Sequence, residues 1–194
     1  MLFFNVHPEK IFAKAQIEIV SFQTSDADKD FTETIFEGPL HQQLKGALLY
    51  LKSQVIKEKI EKVSYQAEAM RYFNFPYEAL EETLAHAVYH RNYEISEPIE
   101  IRIYPDKIQV LSFPGPDAYI NIEDLRNGRV VSRRYRNRQI GNILKELKLT
   151  EGKCTGIPTI LKAMRNNGSP APLFETDIDR QALLVTIPAH PGFI

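Results

Sequence analysis

The strongest constraint on the fold comes from residues 75–93, FPYEALEETLAHAVYHRNY, which have the pattern of an amphipathic helix. Pro76 suits a first helical turn because its missing N–H costs nothing there, and Asn74 just before it is a candidate N-cap. Apolar side chains recur at the three- and four-residue spacing of one buried stripe, at Tyr77, Leu80, Leu84, Ala87 and Val88. We therefore expect a helix that packs one face against the protein core.

The other face of this helix carries Glu82, His86 and His90, stacked one turn above another. A carboxylate and two imidazoles aligned in this way can line a pocket, and the same pattern fits a solvated face. The spacing alone does not separate these two interpretations. Two imidazoles at i and i+4 can also share a Zn²⁺ ion, but the segment HAVYH lacks the glutamate of the zinc-protease motif. We predict no metal site.

The composition limits the class of protein. A chain of 194 residues has room for one core, or for a domain with a smaller lobe. A net charge of −1 argues against coating nucleic acid by bulk charge, although a local basic patch is still allowed. The one cysteine, Cys154, excludes an internal disulfide and fits a reducing compartment. No run approaches the ~20 apolar residues of a membrane helix, so we predict a cytoplasmic protein without a membrane partner.

Three segments before the helix of residues 75–93 have patterns that predict secondary structure. Residues 15–20 alternate as a strand does, and the polar, acidic residues 24–33 predict a loop or a hairpin tip. From residue 41 to about residue 63, apolar side chains keep helical spacing and a Lys/Glu run lies outside them. This pattern predicts one long, one-sided helix.

The segments after the helix predict a mixture of strands and helices. Isoleucines alternate from residue 99 to 103, and a Pro-Asp-Lys turn leads to a return strand ending near Leu111. A short turn or helix is expected at residues 120–125, and Asn137 is a candidate N-cap for the helix that follows it. A further helix begins after a Gly-rich turn and ends near Gly168. Two closing strands follow, at residues 172–175 and 182–188, and the second is apolar enough to be central.

Six arginines lie between Arg126 and Arg138. Clustered arginines with one aromatic residue among them can contact phosphate or nucleic acid, and they are also ordinary in an exposed loop. The candidate nucleic-acid contacts are Arg126, Arg129, Arg133 and Arg134.

Residues 79–93 resemble the pattern A-L-x-E-A-x-x-N-A-x-x-H-R-D-Y of a family of bacterial and archaeal transcriptional regulators, often labelled RecG-type ATP-dependent DNA helicase-like. The C-terminal domain of that family is similar to the GHKL ATPases, which include gyrase, histidine kinases and MutL. The matching positions are Ala79, Leu80, Glu82, Ala87, His90, Arg91 and Tyr93. The resemblance continues through residues 112–116 (SFPGP against N-P-G-G), residues 136–137 (RN against R-N-P) and residues 151–157 (EGKCTGI against E-x-x-G-T-G-I).

The resemblance implies a site for ATP and Mg²⁺. By this resemblance Glu82 would be the catalytic residue of an ATPase, orienting a water for attack on the γ-phosphate. The implied cofactor-binding residues are His86, His90, Phe113, Gly115, Arg136, Asn137, Thr155 and Gly156. The short segment MLFF at the start matches the exit from an upstream DNA-binding-type domain, which this chain is expected to lack.

Three departures from the family pattern fall where the chemistry would be. His86 stands where the family has a Mg²⁺-binding asparagine, and Mg²⁺ prefers hard oxygen ligands. Phe113 falls at the adenine-reading position and cannot accept a hydrogen bond from the base. Cys154 replaces a glycine of the phosphate loop, where backbone must approach closely. Together these changes predict a pocket that has moved away from ATP hydrolysis.

The sequence therefore predicts an α/β protein with a GHKL-like (Bergerat-type) two-layer sandwich of mixed sheet and helices. An N-terminal strand-helix lobe is expected at residues 1–66, beside an ATPase-type domain at residues 67–194. The predicted function is that of a regulatory or binding module of a transcriptional regulator with a degenerate nucleotide pocket. The alternative is a weak Mg-dependent ATPase of a DNA helicase-like protein. DNA is expected as a partner through a domain outside this chain, and a nucleotide and a second copy of the chain are further candidate partners.

Overall fold

The computed structural model of the chain describes residues 1–24, 30–62, 69–129, 136–149 and 156–194. The strands are β1 (Ile17–Phe22), β2 (Phe31–Phe36), β3 (Glu58–Glu61), β4 (Met70–Phe73), β5 (Ile99–Ile103), β6 (Lys107–Ser112), β7 (Leu173–Thr176) and β8 (Leu183–Pro188). The α-helices are α1 (Leu40–Tyr50), α2 (Tyr77–His90), α3 (Ile122–Arg126), α4 (Arg138–Glu146) and α5 (Gly156–Asn167). Short 3₁₀ turns lie at Pro8–Lys10 and Pro191–Phe193, and a π-helical turn, Leu51–Val55, extends α1.

Six strands form one mixed sheet in the order β2-β1-β5-β6-β8-β7. The pairing of β1 with β5 is parallel and the other neighbours are antiparallel. Strands β3 and β4 form a separate antiparallel pair. This mixed sheet with its helices confirms the predicted α/β fold class.

One face of the large sheet carries the core, and the helices pack on that face. Buried and half-buried residues alternate along β5 and β6, as a period of two requires when one face is covered. Helix α2 contacts β6, β8 and α5, while α1 contacts β1 and β2. The fully buried side chains include Ile17 and Ile101 of the sheet and Leu80 and Leu84 of α2. Helix α2 is therefore the central element of the helical layer.

The predicted helix of residues 75–93 is confirmed as α2, but its start differs from the prediction. The N-cap position is Pro76, and no side chain caps the helix. The Asn74 side chain instead accepts hydrogen bonds from the N–H groups of Lys57 and Phe75 and donates one to the carbonyl of Val55. Lys57 and Val55 lie 17 and 19 residues before Asn74 in the sequence. Asn74 therefore connects the end of α1 to the start of α2.

The long helix predicted for residues 41–63 is wrong beyond Val55. Helix α1 and its π-helical turn end there, and residues 58–61 pair with β4 as strand β3. Ile60, which kept the helical spacing in the sequence, is 52% exposed on this strand. Pairing with β4, the next strand along the chain, overrides local helical periodicity here.

The predicted hairpin of residues 98–111 is confirmed as β5 and β6, and the predicted central strand is confirmed as β8, which lies between β6 and β7. Strand β1, from the predicted N-terminal lobe, joins the same sheet through its parallel pairing with β5. The boundary at residue 66 stays a prediction. Among the described residues, no helix is both long and apolar enough to span a bilayer.

Candidate functional site

A cavity of about 180 Å³ opens between the helical layer and the sheet. Its floor consists of two cross-strand pairs, Val110 with Val185 and Ser112 with Leu183, which face the helices from β6 and β8. The surrounding walls come from α2, from residues 114–117, from α3 and from the start of α5. Most of these side chains are apolar, and the few polar ones converge on one side. This composition is typical of small-molecule sites.

Helix α2 supplies the polar wall of the cavity. Thr83, His86, Ala87 and His90 all line it, so the face that carries the histidines does not point only to solvent. The imidazole rings of His86 and His90 stack with their centroids 5.2 Å apart. Glu82 lies one turn before His86, with its Oε1 atom 3.5 Å from Nε2 of His86, and is not itself part of the lining. The predicted alignment of these three side chains along one helix face is confirmed.

Both histidines of this wall are held neutral by their surroundings. Burial lowers the pKa of His86 from 6.5 to about 4. Burial also lowers the pKa of His90 to about 3, and the neighbouring His86 and Arg136 act in the same direction. The His86 side chain keeps 37% of its accessibility, and it lines the cavity. At neutral pH the wall therefore presents two uncharged imidazoles, each with one donor and one acceptor nitrogen.

The loop after β6, residues 114–117, closes one side of the cavity. Arg180 and Arg136 form hydrogen bonds with this loop. The Gly115 N–H donates to the carbonyl of Arg180 at 2.9 Å, and the Arg180 guanidinium donates to the carbonyls of Asp117 and Ile120. A Cβ atom on Gly115 would lie 2.7 Å from the Ala182 carbonyl oxygen. Only glycine lets the loop approach the β7–β8 connection this closely.

Arg136 joins this loop to the end of α2. Its guanidinium donates to the carbonyl of His90 at 2.5 Å and forms an ion pair with Asp117 at 2.8 Å. Partial burial acts to raise the pKa of Asp117, but hydrogen bonds from Tyr119 and Arg136 and the charge of Arg136 outweigh it and hold that pKa below its usual value. Arg136 lines the cavity with its charge already balanced.

Asn137, next to Arg136, has a structural position at the same helix end. It occupies the N-cap position of α4, as predicted, but its side chain makes no capping hydrogen bond. It donates instead to the carbonyls of Tyr89 and Arg91, at 3.1 and 2.6 Å. These carbonyls belong to the last turn of α2, where helices leave such groups without intrahelical partners. Asn137 therefore caps the C-terminus of α2.

Gly156, the first residue of α5, lies directly against His86. A Cβ atom on Gly156 would come within 1.7 Å of Nε2 of His86, so no side chain fits between them. Thr155, predicted to bind the cofactor, and Cys154 lie outside the described residues, and their predicted roles stay predictions.

Phe113 takes part in the loop mainly through its backbone. Its carbonyl accepts a hydrogen bond from the Asn92 N–H at 2.9 Å, and its side chain is not part of the cavity lining. The structure thus brings together His86, His90, Gly115, Arg136 and Gly156 at one cavity. Glu82 contacts this group through His86, while Phe113 and Asn137 are not part of the lining.

The arginine cluster is only partly described. Arg126 forms an ion pair with Glu123 at 2.6 Å and donates to the Phe174 carbonyl at 3.4 Å. Arg129 is exposed, and Arg133 and Arg134 lie outside the described residues. Nucleic-acid contact by these four residues stays a prediction.

Sequence reasoning missed three polar residues of the cavity, Thr83, Ser112 and Asp117. Thr83 could have been found, because it lies three and seven residues before His86 and His90 and so shares their helix face. Asp117 follows directly on the SFPGP segment that was compared with the family. Ser112 begins that same segment, but its place on the floor depends on the register between β6 and β8, which the sequence does not give.

No group of three or more His, Cys, Asp or Glu side chains that could hold a metal ion is found in the part of the chain that the structure describes.

Comparisons with known proteins agree with this architecture. Residues 96–187 match the family model described as "Putative ATP-dependent DNA helicase recG C-terminal". The matched segment contains the floor of the cavity, the loop after β6, Arg136 and Gly156, whereas the histidine-bearing helix α2 precedes it. A comparison with curated proteins found no match.

The whole fold is similar to part of a larger solved structure. Over 93% of its length the chain matches the crystal structure of the DIP2311 protein from Corynebacterium diphtheriae, with a TM-score of 0.70 and 21% sequence identity. The chain spans 35% of the length of that protein. At this identity the likeness shows the fold alone. Residues 96–187 are thus similar to a helicase-related, ATPase-like domain within a mixed α/β fold.

Proposed function

We propose that this chain is a regulatory ligand-binding module, built on a GHKL-like fold, whose cavity does not support ATP hydrolysis. The observation that carries this proposal is the position of His86. Its neutral imidazole lies in the cavity wall against Gly156, where the resembled family has an asparagine that binds Mg²⁺.

The donor set around His86 does not fit a magnesium nucleotide. Mg²⁺ takes near-octahedral oxygen ligands, and the groups at this position are two imidazoles and the Glu82 carboxylate 3.5 Å from one of them. The one cation of the described lining, Arg136, is paired with Asp117 at 2.8 Å. Triphosphate binding needs cations to balance its charge, so we derive no hydrolytic step for this site.

Regulation of transcription would follow from ligand binding in the cavity. Within the proposal, the ligand contacts α2 and the loop after β6 together, and changes how the chain engages DNA through a domain outside it. The resemblance of residues 79–93 to transcriptional regulators supports this role. A second copy of the chain is a further candidate partner.

The alternative is a weak Mg-dependent ATPase of a helicase-like protein. The family match over residues 96–187 favours it, and so does the position of Glu82 beside the cavity wall. In that case Glu82 would orient the attacking water.

A phosphate-release assay separates the two functions. With Mg-ATP present, we expect the chain to release phosphate no faster than the protein-free background, and Glu82→Gln to change nothing. Glu81→Gln is the matched control, because Glu81 is the adjacent carboxylate on α2 and is held by the Tyr77 hydroxyl. Mg²⁺-dependent turnover that Glu82→Gln abolishes and Glu81→Gln preserves would establish the ATPase instead.

A further inference from the structure

Strand β2 is one of the two outer strands of the large sheet, and backbone groups point out from its free edge. Just beyond the paired ends of β1 and β2, the Gln23 N–H donates to the Asp30 carbonyl at 3.4 Å. Hydrogen-bonded and non-hydrogen-bonded pairs alternate along an antiparallel ladder, so every second residue of β2 directs its N–H and C=O groups away from β1. These residues are Phe31, Glu33 and Ile35.

The pairing on the other side of β1 agrees with this assignment. The Ile99 N–H donates to the Gln16 carbonyl at 3.2 Å, so the even-numbered residues of β1 direct their backbone groups to β5. The odd-numbered residues of β1 are therefore the ones that bond to β2, and the register pairs them with Thr32, Thr34 and Phe36. The other three residues of β2 present their N–H and C=O groups at the free edge.

Side chains occupy the backbone of two other outer strands. At β7, on the opposite side of the large sheet, the Arg126 guanidinium donates to the Phe174 carbonyl at 3.4 Å. At β4, the Asn167 side chain accepts from the Phe73 N–H at 2.9 Å and donates to the Phe73 carbonyl at 2.8 Å. Among the described residues, no side chain bonds in this way to the groups on the free edge of β2.

The residues of β2 also leave this edge unprotected. Edge strands of native proteins are commonly shielded by lysine, by proline or by a bulge. Strand β2, with the sequence FTETIF, has none of these, and its one charged residue is Glu33. Phe31 is 60% exposed and Ile35 is 45% exposed, whereas the Phe36 ring contacts Tyr50 of α1. Two apolar side chains of β2 are thus available to a partner strand.

The sequence of β2 is nearly symmetric about Glu33, which indicates that the partner strand is β2 of a second copy. A twofold axis between two antiparallel strands places each residue opposite its mirror position. With the axis at Glu33, Phe31 lies opposite Ile35 and Thr32 lies opposite Thr34, each on both sides of the axis. Aromatic with β-branched and Thr with Thr are favourable cross-strand pairs. The free N–H and C=O groups of the two strands then bond to each other.

Glu33 opposes this pairing, because the axis brings its two copies opposite each other, and like charges in that position are destabilising. Moving the axis to Thr34 would avoid this contact, but it would place Glu33 opposite Ile35. It would also pair Phe31 with Glu37, which lies beyond the end of β2. Interfaces below about 1,200 Å² are typical of transient complexes, and a single strand pair is small. We therefore expect a dimer that forms and dissociates reversibly.

We propose that β2 pairs with β2 of a second copy of this chain, antiparallel and with Glu33 on the twofold axis, so that the two large sheets continue into each other. This interface goes beyond the proposed function and does not depend on it, because no residue of β2 is among the described residues that line the cavity.

Sedimentation velocity from micromolar to near-millimolar concentrations tests this interface, and we expect a monomer–dimer equilibrium for the unmodified chain. Ile35→Lys should weaken the dimer at least about tenfold, because it replaces the apolar contact with Phe31 on both sides of the axis. Glu33→Gln should strengthen the dimer about threefold, since it removes the like-charge contact. The matched controls are Leu173→Lys and Glu175→Gln, exposed residues of the other outer strand, and both should leave the dissociation constant unchanged.

Three results would overturn the proposal. The first is an unmodified chain that stays monomeric over the whole concentration range. The second is a dimer that Ile35→Lys and Leu173→Lys weaken equally, because its interface would then not be β2. The third is a dimer that Glu33→Gln does not strengthen, which would remove the twofold axis from Glu33. Circular dichroism shows whether each variant is folded, and Glu33→Gln, which keeps the size of the side chain, provides the test if Ile35→Lys does not fold.

Discussion

At the scale of single residues, His86 and Arg91 lie in the same family-like segment, residues 79–93, but have different roles in the structure. Arg91 is 1% exposed, and its guanidinium donates to the carbonyls of Lys14 and Glu97 while lying 4.9 Å from the centre of the Tyr93 ring. It therefore ties the start of β1 and the connection to β5 to the end of α2. His86, five residues earlier, faces the cavity instead. The segment that resembles the family thus contains both structural residues and residues that line the cavity.

The pKa of His86 predicts a pH dependence of stability. Because burial lowers this pKa from 6.5 to about 4, the unfolded chain takes up a proton before the folded chain does as the pH falls. The contribution of neutral His86 to stability is complete above about pH 6.5 and is lost as the pH falls towards about 4. Urea unfolding at pH 7 and pH 4.5 measures it.

In this experiment His86→Asn and His86→Gln should both show a smaller decrease of the urea midpoint between the two pH values than the unmodified chain. Part of the decrease should persist, because His90, stacked on the same ring, also has a lowered pKa. The groups next to His86, namely Glu82 and His90, are unchanged in these variants, and so is the Arg136–Asp117 pair that acts on His90. An identical decrease in all three proteins would contradict the burial of His86.

At the scale of elements, the end of α2 depends on residues that follow it by nearly fifty positions. Arg136 and Asn137 together satisfy the carbonyls of Tyr89, His90 and Arg91. A cation at a helix C-terminus also interacts favourably with the helix dipole. In addition, a Cβ atom on Gly141 would lie 1.9 Å from the Tyr89 ring, so α4 packs tightly on α2. The two helices and the loop after β6 form one connected unit around the cavity.

This connection predicts a clear difference between two neighbouring arginines. Arg136→Ala removes the hydrogen bond to the His90 carbonyl and the partner of Asp117, and should lower the free energy of unfolding by about 2 kcal/mol. Arg138→Ala is the matched control, since Arg138 is exposed and should change it by less than about 0.5 kcal/mol. Urea denaturation of the two variants measures both values. Similar losses for both would mean that the α2 cap is not important for stability.

Local sequence patterns predicted the helices and strands better than the hydrogen bonds that link them. Helix α2, the hairpin of β5 and β6, and the interior position of β8 all follow from periodicity and turn residues. The capping role of Asn137 on α2 and the bridging role of Asn74 have no local pattern, because each side chain bonds to backbone 17 or more residues away. The end of α1 was missed because strand pairing, which helical spacing does not reveal, takes over after it. Strand β3 exists because β4 pairs with it.

At the scale of the whole molecule, two parts of the chain build the cavity. One is the segment similar to a helicase-related ATPase-like domain, and the other is helix α2, which precedes that segment. Residues 96–187 supply the floor and the loop after β6, and α2 supplies the histidine wall. The chemistry of the cavity therefore depends on α2 as much as on the matched segment. Under the proposed function, the change at His86 in the α2 wall acts together with those at Phe113 and Cys154 to remove a magnesium nucleotide as ligand.

The most direct test of this claim is isothermal titration of Mg-ATP into the unmodified chain and into a variant with His86→Asn, Phe113→Asp and Cys154→Gly. We predict no measurable heat for the unmodified chain and measurable, Mg²⁺-dependent binding for the variant, because the substitutions restore the family pattern. His86→Asn alone provides a second folded variant if the triple change prevents folding. Tight, Mg²⁺-dependent binding of ATP by the unmodified chain would contradict the account.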